Sequence, residues 1–138
     1  MAAYTGKTIV VTGASSGIGR ALCLALAPQR PRVVLAARDA ARLEEVASAA
    51  RAAGAETLVV STDVTSPDEC RRLVDRTVEA FGGLDVLVNN AGVSMMARFD
   101  QIDDLSVYER IMKVNYLGCV YPTPVSYTHL TLPTICSV

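Results

Sequence analysis

The sequence predicts an α/β fold in which a parallel sheet is wound on both faces by helices. Three observations carry that expectation. Short apolar, β-branched runs (TIVVT, RVVLAA, TLVVS, DVLV) recur along the chain. Each is followed by a longer segment with apolar residues at helical spacing. The runs are too continuously apolar to leave one side in water, so helices must cover both faces of the sheet. Right-handed crossovers then leave a doubly wound arrangement in the order β-α-β-α-β-α-β-α as the leading topology.

The first strand is TIVVT, residues 8–12, and IGRALCLALA after Gly17 is the helix that leaves it. RVVLAA, residues 32–37, is the second strand. The next helix, residues 40–53, consists of strong helix formers, is capped by Asp39 and is stopped by Gly54. The third strand covers residues 57–61. Ser66, Pro67 and Glu69 then read as N-cap, N1 and N3 of a capping box, and that helix runs to Phe81 before Gly82 and Gly83. Residues 85–88 form the fourth strand and residues 105–120 the fourth helix, with Asp103 and Asp104 as its caps. One domain is expected over residues 1–123.

Composition limits the partners. The 138 residues suffice for one domain with a core of its own. Hydrophobic residues make up 51% and charged residues 20%, which is a globular balance. A formal net charge of −1 offers no electrostatic case for nucleic acid or an anionic membrane. No apolar run approaches the roughly 18–20 residues of a membrane helix, and the N-terminus lacks the basic-then-apolar pattern of a secretion signal. Cys23, Cys70, Cys119 and Cys136 are dispersed without a C-x-x-C, which fits neither a zinc site nor a disulfide framework. A cytoplasmic protein with reduced thiols and no metal site is expected.

Between the first strand and its helix stands TGASSGIG, residues 12–19. Gly13 can take a positive φ, Gly17 has no Cβ to block a pyrophosphate, and Gly19 lets the helix sit close to the sheet. The helix start presents unpaired N–H groups and partial positive charge to phosphates. Ser15 and Ser16 add hydroxyl donors, and Ile18 shares the turn. A glycine turn could merely connect two elements; the strand before it and the helix after it make this one a dinucleotide site. At the end of the second strand, where an NAD site carries a ribose-binding acid, this chain has Ala37 and Arg38. A guanidinium there can pair with a 2′-phosphate, so NADP(H) is expected; NAD(H), with Asp39 as the ribose acid, is the alternative. Arg42, Glu44 and Glu45 read as a solvated helix face, and Lys113 receives no role. Met95 and Met96 fit either a substrate pocket or apolar packing.

Four segments together resemble the classical short-chain dehydrogenase/reductase family. They are T-G-x-x-x-G-x-G, Asp63 in TDV, N-N-A-G at residues 89–92, and Asn115 in KVNYLG. The resemblance implies a Rossmann-type fold, here its N-terminal portion only. It implies that Asp63, with Val64 beside it, meets the adenine, and that Asn90, Ala91 and Gly92 line the ribose side. It places Asn115 in a catalytic Asn-Ser-Tyr-Lys set, supporting a water linked to the lysine. It also implies a small carbonyl or alcohol substrate, interconversion of ketone and secondary alcohol by hydride transfer, and a homo-oligomeric full-length form.

In the family a tyrosine of Y-x-x-x-K, whose free phenol has a pKa of about 10, donates the proton. Tyr127 is followed four residues on by Thr131 instead of lysine, and Ser126 is adjacent to it. Ser126, Tyr127 and His129 are therefore not a catalytic set. VSYTHLTLPT can be encoded by GTC TCT TAT ACA CAT CTG ACG CTG CCG ACG, which resembles a transposase adapter of sequencing libraries. Residues 124–138 are expected to be a non-native tail of translated adapter, and the chain as given inactive and prone to aggregate. A non-catalytic dinucleotide-binding regulatory module is the competing functional expectation.

Overall fold

In a computed structural model describing residues 3–130, β1 (Thr8–Thr12), β2 (Arg32–Ala37), β3 (Glu56–Ser61) and β4 (Val86–Val88) form one parallel sheet in the order β3-β2-β1-β4. The chain winds outward from β1 through β2 to β3, then returns to the other side of β1 for β4. That reversal creates a crevice between β1 and β4 at the carboxyl ends of the strands, where ligands bind in such sheets. Val10 lies opposite Val34 on one side and Leu87 on the other.

The period of two along the strands decides which helix each side chain meets. Ile9, Val11, Val33 and Leu35 pack with Cys23 and Leu26 of α1 (Gly17–Leu26) and Leu43, Val46 and Ala47 of α2 (Ala40–Ala52). Val10, Val34, Ala36, Val60 and Leu87 pack on the opposite face with Leu73 of α3 (Pro67–Phe81). Every residue of β1 is buried, and full burial of one such side chain contributes about 1.5–3 kcal/mol. β1 and the middle of β2 therefore have no wet face, whereas β3 at the sheet edge is only partly covered.

The helix starts follow the predicted chemistry with one change. Asp39 Oδ1 accepts the Arg42 N–H at 3.1 Å and caps α2, which ends at Ala52, one residue short of the expected bound. Gly54 follows with φ of 114°. Ser66 Oγ accepts the Glu69 N–H at 3.3 Å and caps α3. The reciprocal half of the capping box is not made. The Ser66 N–H is already taken by the Asp63 carbonyl, and the Glu69 carboxylate accepts the Asp63 N–H at 2.6 Å instead. Glu69 thus fixes the loop after β3, not the helix start.

The fourth helix is more segmented than predicted. A 3₁₀ turn, Phe99–Gln101, precedes α4 (Ser106–Met112), and a π-helical turn, Lys113–Leu117, leads into α5 (Gly118–Val120) and α6 (Pro122–Tyr127). Asp104 Oδ1 accepts the Ser106 N–H at 2.9 Å, so Asp104 does the capping while Asp103 stays exposed. Helical backbone persists through Tyr121 to Pro122, so the stretch runs past the expected end at residue 120. Gly118 is buried where an added Cβ would stand 2.7 Å from Val64 Cγ2, which seats the stretch against the loop after β3.

Part of the expected tail is within the described residues. Ser126 is buried and its hydroxyl donates to the Pro122 carbonyl at 2.7 Å, while Tyr127 and His129 are exposed. Leu130 bridges to Leu84 in parallel. Residues 131–138, including Thr131 and Cys136, lie outside the described residues. Met96 is 100% exposed and Phe99 80%, so apolar packing does not account for Met96. No described helix is long and apolar enough to cross a membrane.

Candidate functional site

A cleft of about 1260 Å³ opens over the switch point. Gly13, Ser15, Ser16, Gly17 and Ile18 line it from the first turn, and Arg38 and Asp63 with Val64 from the ends of β2 and β3. Asn90, Ala91 and Gly92 close it beyond β4. The structure therefore brings together every residue singled out for cofactor binding except Gly19, which stands behind the turn. Asn115 does not line the cleft either; it acts on its wall.

The glycines divide the work as their chemistry requires. Gly13 has φ of 66° and Gly17 φ of 55°, both in the region that Cβ-bearing residues avoid. No protein atom lies within 4 Å of where a Gly17 Cβ would stand, which leaves room for a bulky anion against the backbone. A Cβ on Gly19 would meet the Gly13 carbonyl oxygen at 2.4 Å, so this glycine sets how closely α1 approaches the turn. The N-cap Ser16 has extended backbone and makes no side-chain capping bond. The first N–H groups of α1 are thus left for something in the cleft, with the positive end of the helix dipole behind them. Ile18 is 79% exposed beside them. This turn fits a pyrophosphate.

The far wall is tied to the turn by one hydroxyl. Thr12 Oγ1 accepts the N–H groups of Asn90 and Ala91, each at 3.0 Å, and donates to the Val88 carbonyl at 3.4 Å. Asn90 Nδ2 donates to the Thr12 and Gly13 carbonyls at 3.0 and 3.3 Å. Thr12 was not a predicted site residue. Its place before the first glycine was visible, but its partners lie 78 and 79 positions away. Asn89, by contrast, donates from Nδ2 to Thr123 Oγ1 at 3.1 Å and does not line the cleft.

Asp63 Oδ1 accepts from the Thr65 hydroxyl at 2.7 Å and the Thr65 N–H at 2.9 Å. These bonds hold its carboxyl below the ordinary value; partial burial opposes them and the charge of Arg38 assists. Oδ2 has no donor among the described residues. A fixed carboxylate with one free oxygen can accept from an exocyclic amine. Asn115 grips the chain after N-N-A-G: its Oδ1 accepts the Val93 N–H and its Nδ2 donates to the Val93 carbonyl, each at 2.8 Å. Asn115 lies in the π turn, an irregularity often found at functional sites.

Arg42, Arg110 and Lys113 add cationic lining to the cleft. Arg42 is exposed, in keeping with a solvated helix face, yet also borders the cleft, and Lys113 borders it without a role expected from sequence. None of the described thiols lines the cleft. Burial pushes Cys23 up to about 12 and, with Asp63 and Glu69 nearby, Cys70 up to about 11, and the described cysteines are all unpaired. No cluster that could hold a metal ion occurs among the described residues.

Residues 7–131 match the sequence profile described as short chain dehydrogenase. The chain belongs to the short-chain dehydrogenase family. Its parallel sheet with alternating helices is the Rossmann-type fold of that family. It is similar to the 11-beta-hydroxysteroid dehydrogenase 1A of Arabidopsis thaliana, 44% identical over 126 residues, which cover 91% of this chain and 36% of that protein. Among solved structures it is similar to an NADH-dependent reductase A1-R′ complexed with NAD, with TM-score 0.78, 35% identity, and coverage of 91% of this chain and 52% of that one. It is also similar to an alcohol dehydrogenase of the archaeon Thermococcus sibiricus complexed with 5-hydroxy-NADP, with TM-score 0.83, 31% identity, and coverage of 89% and 52%. The chain thus spans about half of those structures and 36% of that curated relative.

Proposed function

We propose that the full-length protein is an NADP(H)-dependent oxidoreductase interconverting a ketone and a secondary alcohol, and that these residues form its cofactor-binding half. The observation that carries the reading is the uncapped start of α1 beneath open space at Gly17, with Arg38 at the end of β2 along the same cleft. Gly13, Ser15, Ser16, Gly17, Ile18 and Gly19 hold the pyrophosphate by backbone amides, hydroxyls and close packing. Arg38 pairs with the 2′-phosphate as a bidentate donor. Asp63 and Val64 meet the adenine; Asn90, Ala91 and Gly92 border the ribose toward the nicotinamide.

The bound nicotinamide supplies or accepts the hydride. The chain's own residues orient it: Thr12 and Asn90 lock the wall to the glycine turn, and Asn115 fixes Val93 beyond it. As the member of the catalytic set within this chain, Asn115 supports the ordered water that leads to the family's lysine. A hydroxysteroid dehydrogenase acts on a ring hydroxyl, which is a secondary alcohol, and the 44% identity to one supports that substrate class.

NAD(H) is the second reading, supported by Asp39 in the cleft lining and by similarity to an NADH-dependent reductase. Calorimetric titration of the full-length protein with NADP⁺ and NAD⁺, followed by turnover with secondary alcohols, tests both. Tighter NADP⁺ binding with alcohol oxidation is expected. Binding of neither nucleotide would overturn the proposal.

A further inference from the structure

The charges at the end of β2 do not act independently. Asp39 Oδ1 accepts the backbone N–H of Arg42 at 3.1 Å, a cap that any non-proline residue at 42 would complete, while Asp39 Oδ2 lies 3.6 Å from Arg42 Nε in an ion pair between exposed side chains. Arg38, Asp39 and Arg42 all border the cleft. Among the described residues, no carboxylate lies at ion-pair distance from the Arg38 guanidinium. The Arg38 carbonyl is held by the Ser61 hydroxyl at 3.2 Å, which ties this corner to β3.

We infer that Arg42 is a specificity-determining residue that acts through Asp39: its guanidinium holds the carboxylate oxygen that the helix cap leaves open and so keeps it from accepting the ribose 2′-hydroxyl of NAD(H). A carboxylate that binds ribose hydroxyls must offer its oxygens to the ligand. Here one is committed to the cap, and the other faces the Arg42 guanidinium one helical turn on. The same pairing neutralises the charge that would repel a 2′-phosphate beside Arg38. Preference therefore resides in the engagement of Asp39 as much as in Arg38. Arg42 is a positioning residue in this account and need not touch the nucleotide. The inference rests on the cleft being a nicotinamide-dinucleotide site, but not on which nucleotide the unaltered protein prefers.

The test is a double-mutant cycle in the full-length protein, with NAD⁺ and NADP⁺ affinities measured by calorimetry. Arg42→Met keeps a strong helix former and removes the guanidinium. Releasing an exposed ion pair to free the acceptor for the ribose is expected to tighten NAD⁺ about two- to fivefold. Asp39→Asn keeps a good N-cap while removing the charge and is expected to tighten NADP⁺. In the Asp39→Asn background, Arg42→Met should give no gain in NAD⁺ affinity, because no carboxylate remains to be released. An equal NAD⁺ gain in both backgrounds, or none in either, would overturn the inference. If Arg42→Met does not fold, Arg42→Gln with the same cycle serves, and the NADP⁺ response of Asp39→Asn is read independently. Failure of the unaltered protein to bind either nucleotide would instead sink the dinucleotide reading, and this inference with it.

Discussion

The carboxamide of Asn115 pairs with both backbone groups of Val93, across 22 residues of sequence and at 2.8 Å in each direction. An amide side chain here imitates a neighbouring strand, where no strand exists. It comes from the π turn, Lys113–Leu117, and is aimed at the segment that follows the cleft wall.

Replacing Asn115 by Leu removes both bonds. Each is worth about 0.5–1.5 kcal/mol net, so a loss of about 1–3 kcal/mol in urea unfolding of the full-length protein is expected. Asn115→Asp should recover part of it, because a carboxylate still accepts from the Val93 N–H but cannot donate to its carbonyl. Equal stability of the Leu variant and the parent would refute the role assigned to the pair.

Thr12→Val keeps the shape of a residue whose side chain is buried and deletes only the oxygen that holds the Asn90 and Ala91 amides. Leaving two partly buried N–H groups unpaired is expected to cost about 2–4 kcal/mol. Nucleotide affinity should fall with it, since the wall loses its tie to the turn. Thr12→Ser, which retains the oxygen, should bind nucleotide nearly as the parent does; calorimetry on the variants distinguishes these outcomes.

Alanine at Gly17 and at Gly19 should fail for different reasons. At Gly19 the new Cβ meets the Gly13 carbonyl at 2.4 Å, so the turn itself must move and both stability and binding are lost. At Gly17 the protein leaves room, and the penalty is the left-handed backbone, about 1–2 kcal/mol. Gly17→Ala should therefore fold, with a modestly lower melting temperature, yet bind nucleotide poorly because its methyl enters the cleft. Comparing melting curves with binding isotherms separates the two.

The Asp63 carboxyl is held below its ordinary value of 3.8, first by the Thr65 hydroxyl and then by the Thr65 amide. A carboxyl lowered on folding stabilises the protein above the unfolded value and loses that contribution as pH falls through the folded one. Thr65→Val should raise the Asp63 carboxyl toward 3.8 and move acid unfolding to higher pH. Carboxyl carbon chemical shifts followed through an acid titration measure it; an unmoved Asp63 would contradict the assignment.

Much of the fold was legible because it is local. Alternation along TIVVT and RVVLAA, Asp39 and Ser66 at helix starts, and the glycines of TGASSGIG act over one or two turns of chain. The sheet faces, caps and backbone angles follow from neighbouring residues. Even the capping box was half right, since Ser66 acts over three residues, whereas Glu69 found a better donor in the loop.

Tertiary structure alone decided which distant groups those local elements would meet. Nothing near Thr12 in sequence announces Asn90, nothing near Asn115 announces Val93, and Arg42 looks like an exposed helix residue until β2 and β3 bring the cleft to it. The physical reason is that a side chain's periodicity and propensity are properties of its own segment. Its hydrogen-bond partner and its distance from a ligand are set by the packing of several segments at once.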